Sequence, residues 1–115
     1  MGQPVVHFEI GCRDSERTQS FFKQLFGWRI RSDGPATVIE TGAESEIGGH
    51  IRSLGHEPHR YVTVYVQVDD VEAYARRAEL LGGKRTLGPV EIPGGTFAWF
   101  TDPDGNLLGL WKPKG

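Results

Sequence analysis

At 115 residues the chain has the length of one ordinary domain, and its 37% apolar, 10% aromatic and 24% charged residues suit a globular protein with enough Val, Ile, Leu and Phe to bury a core. Thirteen Lys plus Arg against fifteen Asp plus Glu leave a formal charge of -2, so no basic field exists to bind phosphates, and nucleic acid is not an expected partner. Cys12 is the single cysteine, the N-terminus lacks a basic segment followed by a long apolar run, and no stretch approaches the ~18 apolar residues of a membrane span, so a cytoplasmic protein with no membrane partner is expected.

Val5 to Ile10 alternates, with Val6, Phe8 and Ile10 on one face and Val5, His7 and Glu9 on the other, which predicts a strand. Asp14 or Ser15 can cap a following helix by accepting its orphan N–H groups. Thr18, Phe21, Phe22, Leu25 and Phe26 form its expected buried stripe, and Gly27 stops it. Trp28 to Arg31 starts another strand, Asp33-Gly34-Pro35 is turn chemistry, and Ala36 to Thr41 and Ile47 to Ser53 read as two more strands. Leu54 to Arg60 has the composition of a connecting loop.

The same order then recurs. Tyr61 to Val68 alternates strictly, with Val62, Val64, Val66 and Val68 facing one way and Tyr61, Thr63, Tyr65 and Gln67 the other. Asp69 or Asp70 can cap a helix whose stripe is Val71, Tyr74, Ala75, Ala78 and Leu81, ended by Gly82-Gly83. Strands are expected at Lys84 to Leu87, Phe97 to Thr101 and Asn106 to Trp111, with turns at Pro93-Gly94-Gly95 and Asp102-Pro103-Asp104-Gly105.

An offset of 56 maps Phe8 onto Val64, Ile10 onto Val66, Asp14 onto Asp70, Leu25 onto Leu81 and Gly27 onto Gly83. Further on, an offset of 60 maps Thr41 onto Thr101, Ile47 onto Leu107 and Gly49 onto Gly109, as if the second half carried an insertion around Val90 to Gly94. The expected fold is therefore α+β: two tandem βαβββ modules, about 4–53 and about 61–113, forming a curved mixed sheet around a pocket within one domain. Helices would cover the faces carrying Phe8, Ile10, Val64 and Val66. The opposite faces would carry His7, Glu9, Thr63, Tyr65, Gln67, Leu107, Gly109 and Trp111, polar groups among aromatics that suit either a small-molecule pocket or the wet side of a half-buried sheet.

The segments HFEIGCRDSERTQSFFKQLFGW, YVQVDDVEAYARRAELLGGK and FAWFTDPDGNLLGLWKP span nearly the whole chain. With the duplicated element order, they resemble the vicinal oxygen chelate superfamily of glyoxalase I, bleomycin-resistance proteins, extradiol dioxygenases and methylmalonyl-CoA epimerase. The resemblance is closest to its small single-domain members, and it implies a homodimer. In metal-dependent relatives each half supplies two ligands, one from its first strand and one from its last. His7 occupies the first of these positions, and Thr63 its counterpart in the second half. Gly109 stands where the closing motif carries a Glu ligand, and the internal alignment puts Gly49 at the matching place, so three of the four expected ligands are absent. His50, next to Gly49, is expected to face the other way unless a bulge at Gly48-Gly49 re-aims it. A catalytic divalent ion needs three protein ligands or so. No cofactor is therefore expected, a metal remaining the lesser alternative with Glu9 as a second ligand.

His7 and Glu9 are the candidate catalytic residues, an imidazole able to move a proton and a carboxylate able to orient it. His56 and His59 read as loop residues, Cys12 as an inert thiol, and Trp99 and Trp111 as core or as a stacking surface. The function these features imply is binding or sequestering an aromatic or antibiotic-like small molecule at a degenerate metal site. The alternative is a glyoxalase-like lyase or isomerase using His7 and Glu9 for proton transfer, with or without a divalent metal.

Overall fold

The computed structural model describes residues 2–33, 36–42, 47–52 and 60–115. The turn at Gly34-Pro35, most of the loop after Arg52, and His56 and His59 lie outside the described residues. The chain contains the strands β1 (Val5–Gly11), β2 (Arg29–Asp33), β3 (Ala36–Glu40), β4 (Gly48–Arg52), β5 (Tyr61–Gln67), β6 (Lys84–Ile92), β7 (Gly95–Thr101) and β8 (Leu107–Pro113), with helices α1 (Ser15–Phe26) and α2 (Val71–Leu80). The class is α+β, and each half repeats the order strand, helix, three strands. No helix among the described residues is long and apolar enough to cross a membrane.

Two compact units result, Val6–Thr63 and, with the N-terminal residues up to Val5, Val64–Gly115. In the first, the strand order is β2-β3-β4-β1, with β1 and β4 parallel and the other pairs antiparallel. In the second it is β5-β8-β7-β6, with β5 and β8 parallel. Pro89 falls on the edge strand β6, within the register shift between Leu87 and Val90, the kind of place where a residue without an N–H is tolerated.

Both helices start on an aspartate. Asp14 accepts from the Arg17 N–H at 3.2 Å and Asp70 from the Ala73 N–H at 3.0 Å. Gly27, at φ 70°, ends α1 in the left-handed conformation that a side chain resists. Beneath α1, Ile30, Ile39 and Ile51 form the buried cluster, joined by Phe8, Ile10, Cys12, Phe22 and Trp28. Beneath α2 the cluster is Val68, Val71, Ala75, Ala98 and Leu110, joined by Val66, Tyr74 and Phe100. Burying such an aliphatic side chain contributes about 1.5–3 kcal/mol.

The apolar stripe expected for α1 is corrected. The helix has no fully buried residue, and Phe21, Leu25 and Phe26 are each more than half exposed. Phe22 alone of them enters the cluster, its ring stacked on Trp28 at 5.2 Å. Successive helix residues turn by ~100°, so when Phe22 faces the sheet Phe21 lies on the flank. Leu81 likewise leaves its expected stripe, because α2 ends at Leu80 and Leu81 is 72% exposed at its cap. On the outer side of α2, Arg85 from β6 binds Glu72 through two N–H bonds of 3.0 and 2.8 Å and lies 3.6 Å from Glu79.

Candidate functional site

The first unit brings His7, Glu9, His50, Arg52 and Tyr61 together on the sheet face opposite α1. Period 2 puts His7 and Glu9 together on β1. The parallel register opposes Glu9 to His50, and so brings His50 and Arg52 of β4 onto the same face. Gly49 opposes Phe8 and lies on the α1 side, where a Cβ would stand 2.4 Å from the Phe8 ring. This corrects the internal alignment. Glu9 pairs with His50 as its counterpart Tyr65 pairs with Gly109, so the offset between last strands is 59 and His50, not Gly49, corresponds to Gly109. An error of one residue reverses the face of every side chain on a strand.

Glu9 is 1% exposed, and a buried carboxylate requires partners. Arg52 supplies one, its Nε 3.6 Å from Oε1, and the Tyr61 hydroxyl donates a short hydrogen bond to Oε2. The Tyr61 ring lies over Gly11, where a Cβ would meet it at 1.9 Å, so the bare backbone of Gly11 admits the ring. His7 Nε2 and His50 Nδ1 share a short hydrogen bond. Burial first, then the neighbouring His50 and Arg52, lower the His7 pKa to about 4. Burial and Arg52 also lower that of His50, against the opposing pull of Glu9. Both rings are neutral at pH 7, and the Glu9 charge is answered by Arg52.

Of the other predicted site residues, Thr63 is buried in the first unit, and the rest belong to the second. Tyr65, 5% exposed, opposes Gly109, and its ring fills the space where a Cβ on Gly109 would stand, 2.4 Å away. The buried Trp99 indole donates to the Tyr65 hydroxyl at 2.7 Å, and Phe97 meets the Tyr65 ring edge to face. Gln67 and Trp111 are half-buried neighbours in the β5–β8 ladder, Leu107 opposes Thr101, and the Trp111 ring reaches over Gly94. A cleft of about 460 Å³ on the other side of this sheet is lined by Tyr74, Ala78, Phe100 and Leu110, and by none of the predicted pocket residues.

Sequence reasoning missed the partners that define the first cluster, His50, Arg52 and Tyr61. Only the strand register could have found them. The donors do not fit a three-ligand metal centre. His7 and His50 offer ring nitrogens, but Glu9 is committed to Arg52 and Tyr61, and Thr63 and Gly109 stand at the positions that metal-dependent relatives use in the second half. Among the described residues no group of three or more His, Cys, Asp or Glu is arranged to hold an ion.

Known proteins share this architecture. A hypothetical protein from Bacillus halodurans C-125, BH1468, superposes with a TM-score of 0.71 at 15% identity, covering 100% of this chain and 97% of that one. Methylmalonyl-CoA epimerase from Mycobacterium tuberculosis gives 0.67 at 13% identity, covering 96% and 88%. At such identities the likeness is one of fold. Among sequences, a glyoxylase-like domain-containing protein of Didymella fabae is 30% identical, covering 96% of this chain and 94% of that protein. Anthracycline biosynthesis protein DnrV of Streptomyces peucetius is 28% identical over 91% of this chain, which spans only 45% of the length of DnrV. The Glyoxalase/Bleomycin resistance protein/Dioxygenase superfamily model matches residues 5–110, and the chain belongs to that superfamily.

Proposed function

We propose that this protein binds an aromatic, antibiotic-like small molecule on the His7/His50 face of its first unit, without a metal ion and without chemical conversion. The observation that carries the reading is the commitment of Glu9. Its carboxylate is buried between Arg52 and Tyr61, so it orients the site and is a poor candidate to accept a proton from a ligand. A His7 pKa of about 4 makes that imidazole a weak base at neutral pH, though a neutral ring remains a good hydrogen-bonding group. The Streptomyces relatives named for anthracycline biosynthesis suggest the ligand class, a planar polycyclic aromatic carrying oxygen functions.

Titration with an anthracycline, followed by tryptophan fluorescence and by mass analysis of the recovered compound, tests this. The expected result is saturable binding with a Kd of about 1 μM or tighter, equal before and after dialysis against a chelator, with the ligand recovered unchanged. Absence of saturation rejects it. The second reading, a glyoxalase-like lyase or isomerase, draws on the 30% identical Didymella fabae relative and requires recovery of a product of altered structure.

A further inference from the structure

We propose that His50 sets the specificity of this site by offering its Nε2 to an uncharged oxygen of an aromatic hydroxy-carbonyl ligand. The inference rests on the binding reading above and adds both a residue and a chemical class to it. His50 Nδ1 is held by His7 Nε2. In a neutral imidazole one nitrogen carries hydrogen and the other a lone pair, so this contact has two uncharged forms. Where His7 donates, His50 carries its hydrogen on Nε2 and donates to a carbonyl oxygen. Where His50 Nδ1 donates, Nε2 is a lone pair that accepts from a hydroxyl.

An aromatic ring bearing a hydroxyl beside a carbonyl satisfies both forms. A carboxylate or an ammonium group gains no counter-charge from a neutral imidazole, and the nearest charges, Arg52 and Glu9, already answer each other. Gly48, two residues earlier on the His50 face, carries no side chain, and among the described residues a Cβ there would meet only the Ile39 carbonyl oxygen within 4 Å, at 3.5 Å. His50 is itself half-buried.

Three naphthalene probes separate the possibilities: 1-hydroxy-2-acetylnaphthalene, 2-ethylnaphthalene and 1-naphthoate, each titrated by equilibrium dialysis. The wild-type protein is expected to hold the hydroxy-ketone about five- to tenfold more tightly than either of the others, the worth of roughly one net hydrogen bond. In His50→Phe the preference of the hydroxy-ketone over 2-ethylnaphthalene should fall below about twofold. In 15N-labelled wild type the Nε2 resonance of His50 should shift with the hydroxy-ketone and stay in place with 2-ethylnaphthalene, a readout that does not depend on the variant folding. A preference that survives in His50→Phe, or an Nε2 resonance that ignores the hydroxy-ketone, overturns the assignment of His50 and leaves the binding reading standing. Failure of all three probes and of the anthracycline to bind overturns both.

Discussion

The two units apply one device to opposite ends. In each, a glycine leaves a gap on the sheet face away from the helix and a tyrosine ring of β5 fills it: Tyr61 over Gly11 in the first, Tyr65 over Gly109 in the second. In the first the tyrosine hydroxyl donates to a buried carboxylate, beside which two imidazoles and a guanidinium gather. In the second it accepts from Trp99, and the surroundings are aromatic. The two pairs do not correspond through the duplication: Tyr65 and Gly109 stand where the first unit has Glu9 and His50, so the place that one copy fills with an aromatic ring over a glycine the other fills with a carboxylate and an imidazole.

The largest expected effect is in the first unit. Glu9→Ala removes the buried partner of the Arg52 ion pair and the acceptor of the Tyr61 hydroxyl, and with Arg52 itself 30% exposed should destabilise the protein by about 3 kcal/mol in urea unfolding. A loss below ~1 kcal/mol would mean that Glu9 does not organise the cluster. Next come the two glycines: Gly11→Ala and Gly109→Ala should each cost about 1–3 kcal/mol, since the added methyl overlaps a tyrosine ring pinned by its hydroxyl. Truncating Tyr65 in the Gly109→Ala background should recover part of that loss, and strict additivity would show that the two side chains do not compete for the same space. Smaller again are the helix caps. Asp14→Ala and Asp70→Ala should each lower stability by about 1 kcal/mol and by similar amounts, because the two aspartates make the same contact. Unequal losses would break the equivalence of the two helix starts.

The last difference is a slope with pH. Among the described residues both histidines, His7 and His50, belong to the first unit. With the folded pKa of His7 lowered from 6.5 to about 4 and that of His50 also lowered, the unfolded chain binds more protons across that interval, so stability rises with pH between about 4 and 6.5. In the second unit the lowered groups are the carboxylates Glu72 and Asp102, whose contribution is lost only as pH falls below their ordinary values of 4.5 and 3.8. Unfolding curves taken every half pH unit should show the upper slope shrink in His7→Gln and in His50→Gln. A flat profile from pH 6.5 to 4 would contradict the neutral histidine pair.

Much of this was readable from residue order. Period 2 placed His7 with Glu9 and Phe8 with Ile10, and the aspartate caps and Gly27 bounded the helices within a residue or two, because these are local rules of backbone geometry and capping. His50 of β4 lies on the face opposite to the one the internal alignment predicts, because that alignment crosses a loop of unequal length, where a shift of one residue cannot be seen without the hydrogen-bond register. Arg52 and Tyr61 were invisible as partners of Glu9 for a similar reason, being 43 and 52 residues distant in sequence and joined to it only by folding. The exposed flank of α1 shows the limit of a periodicity argument: an apolar stripe states what a helix can bury, and the width of the sheet beneath decides how much it does.

The ring of Tyr65 over Gly109 also bears on the order in which this chain can change. A side chain longer than hydrogen at position 109 first displaces a tyrosine that Trp99 and Phe97 hold in place. A carboxylate there, the group metal-dependent relatives carry in their closing motif, therefore cannot arrive by one favourable substitution. The aromatic filling works as a ratchet: the step at position 109 back toward an ion-binding group passes through a less stable protein.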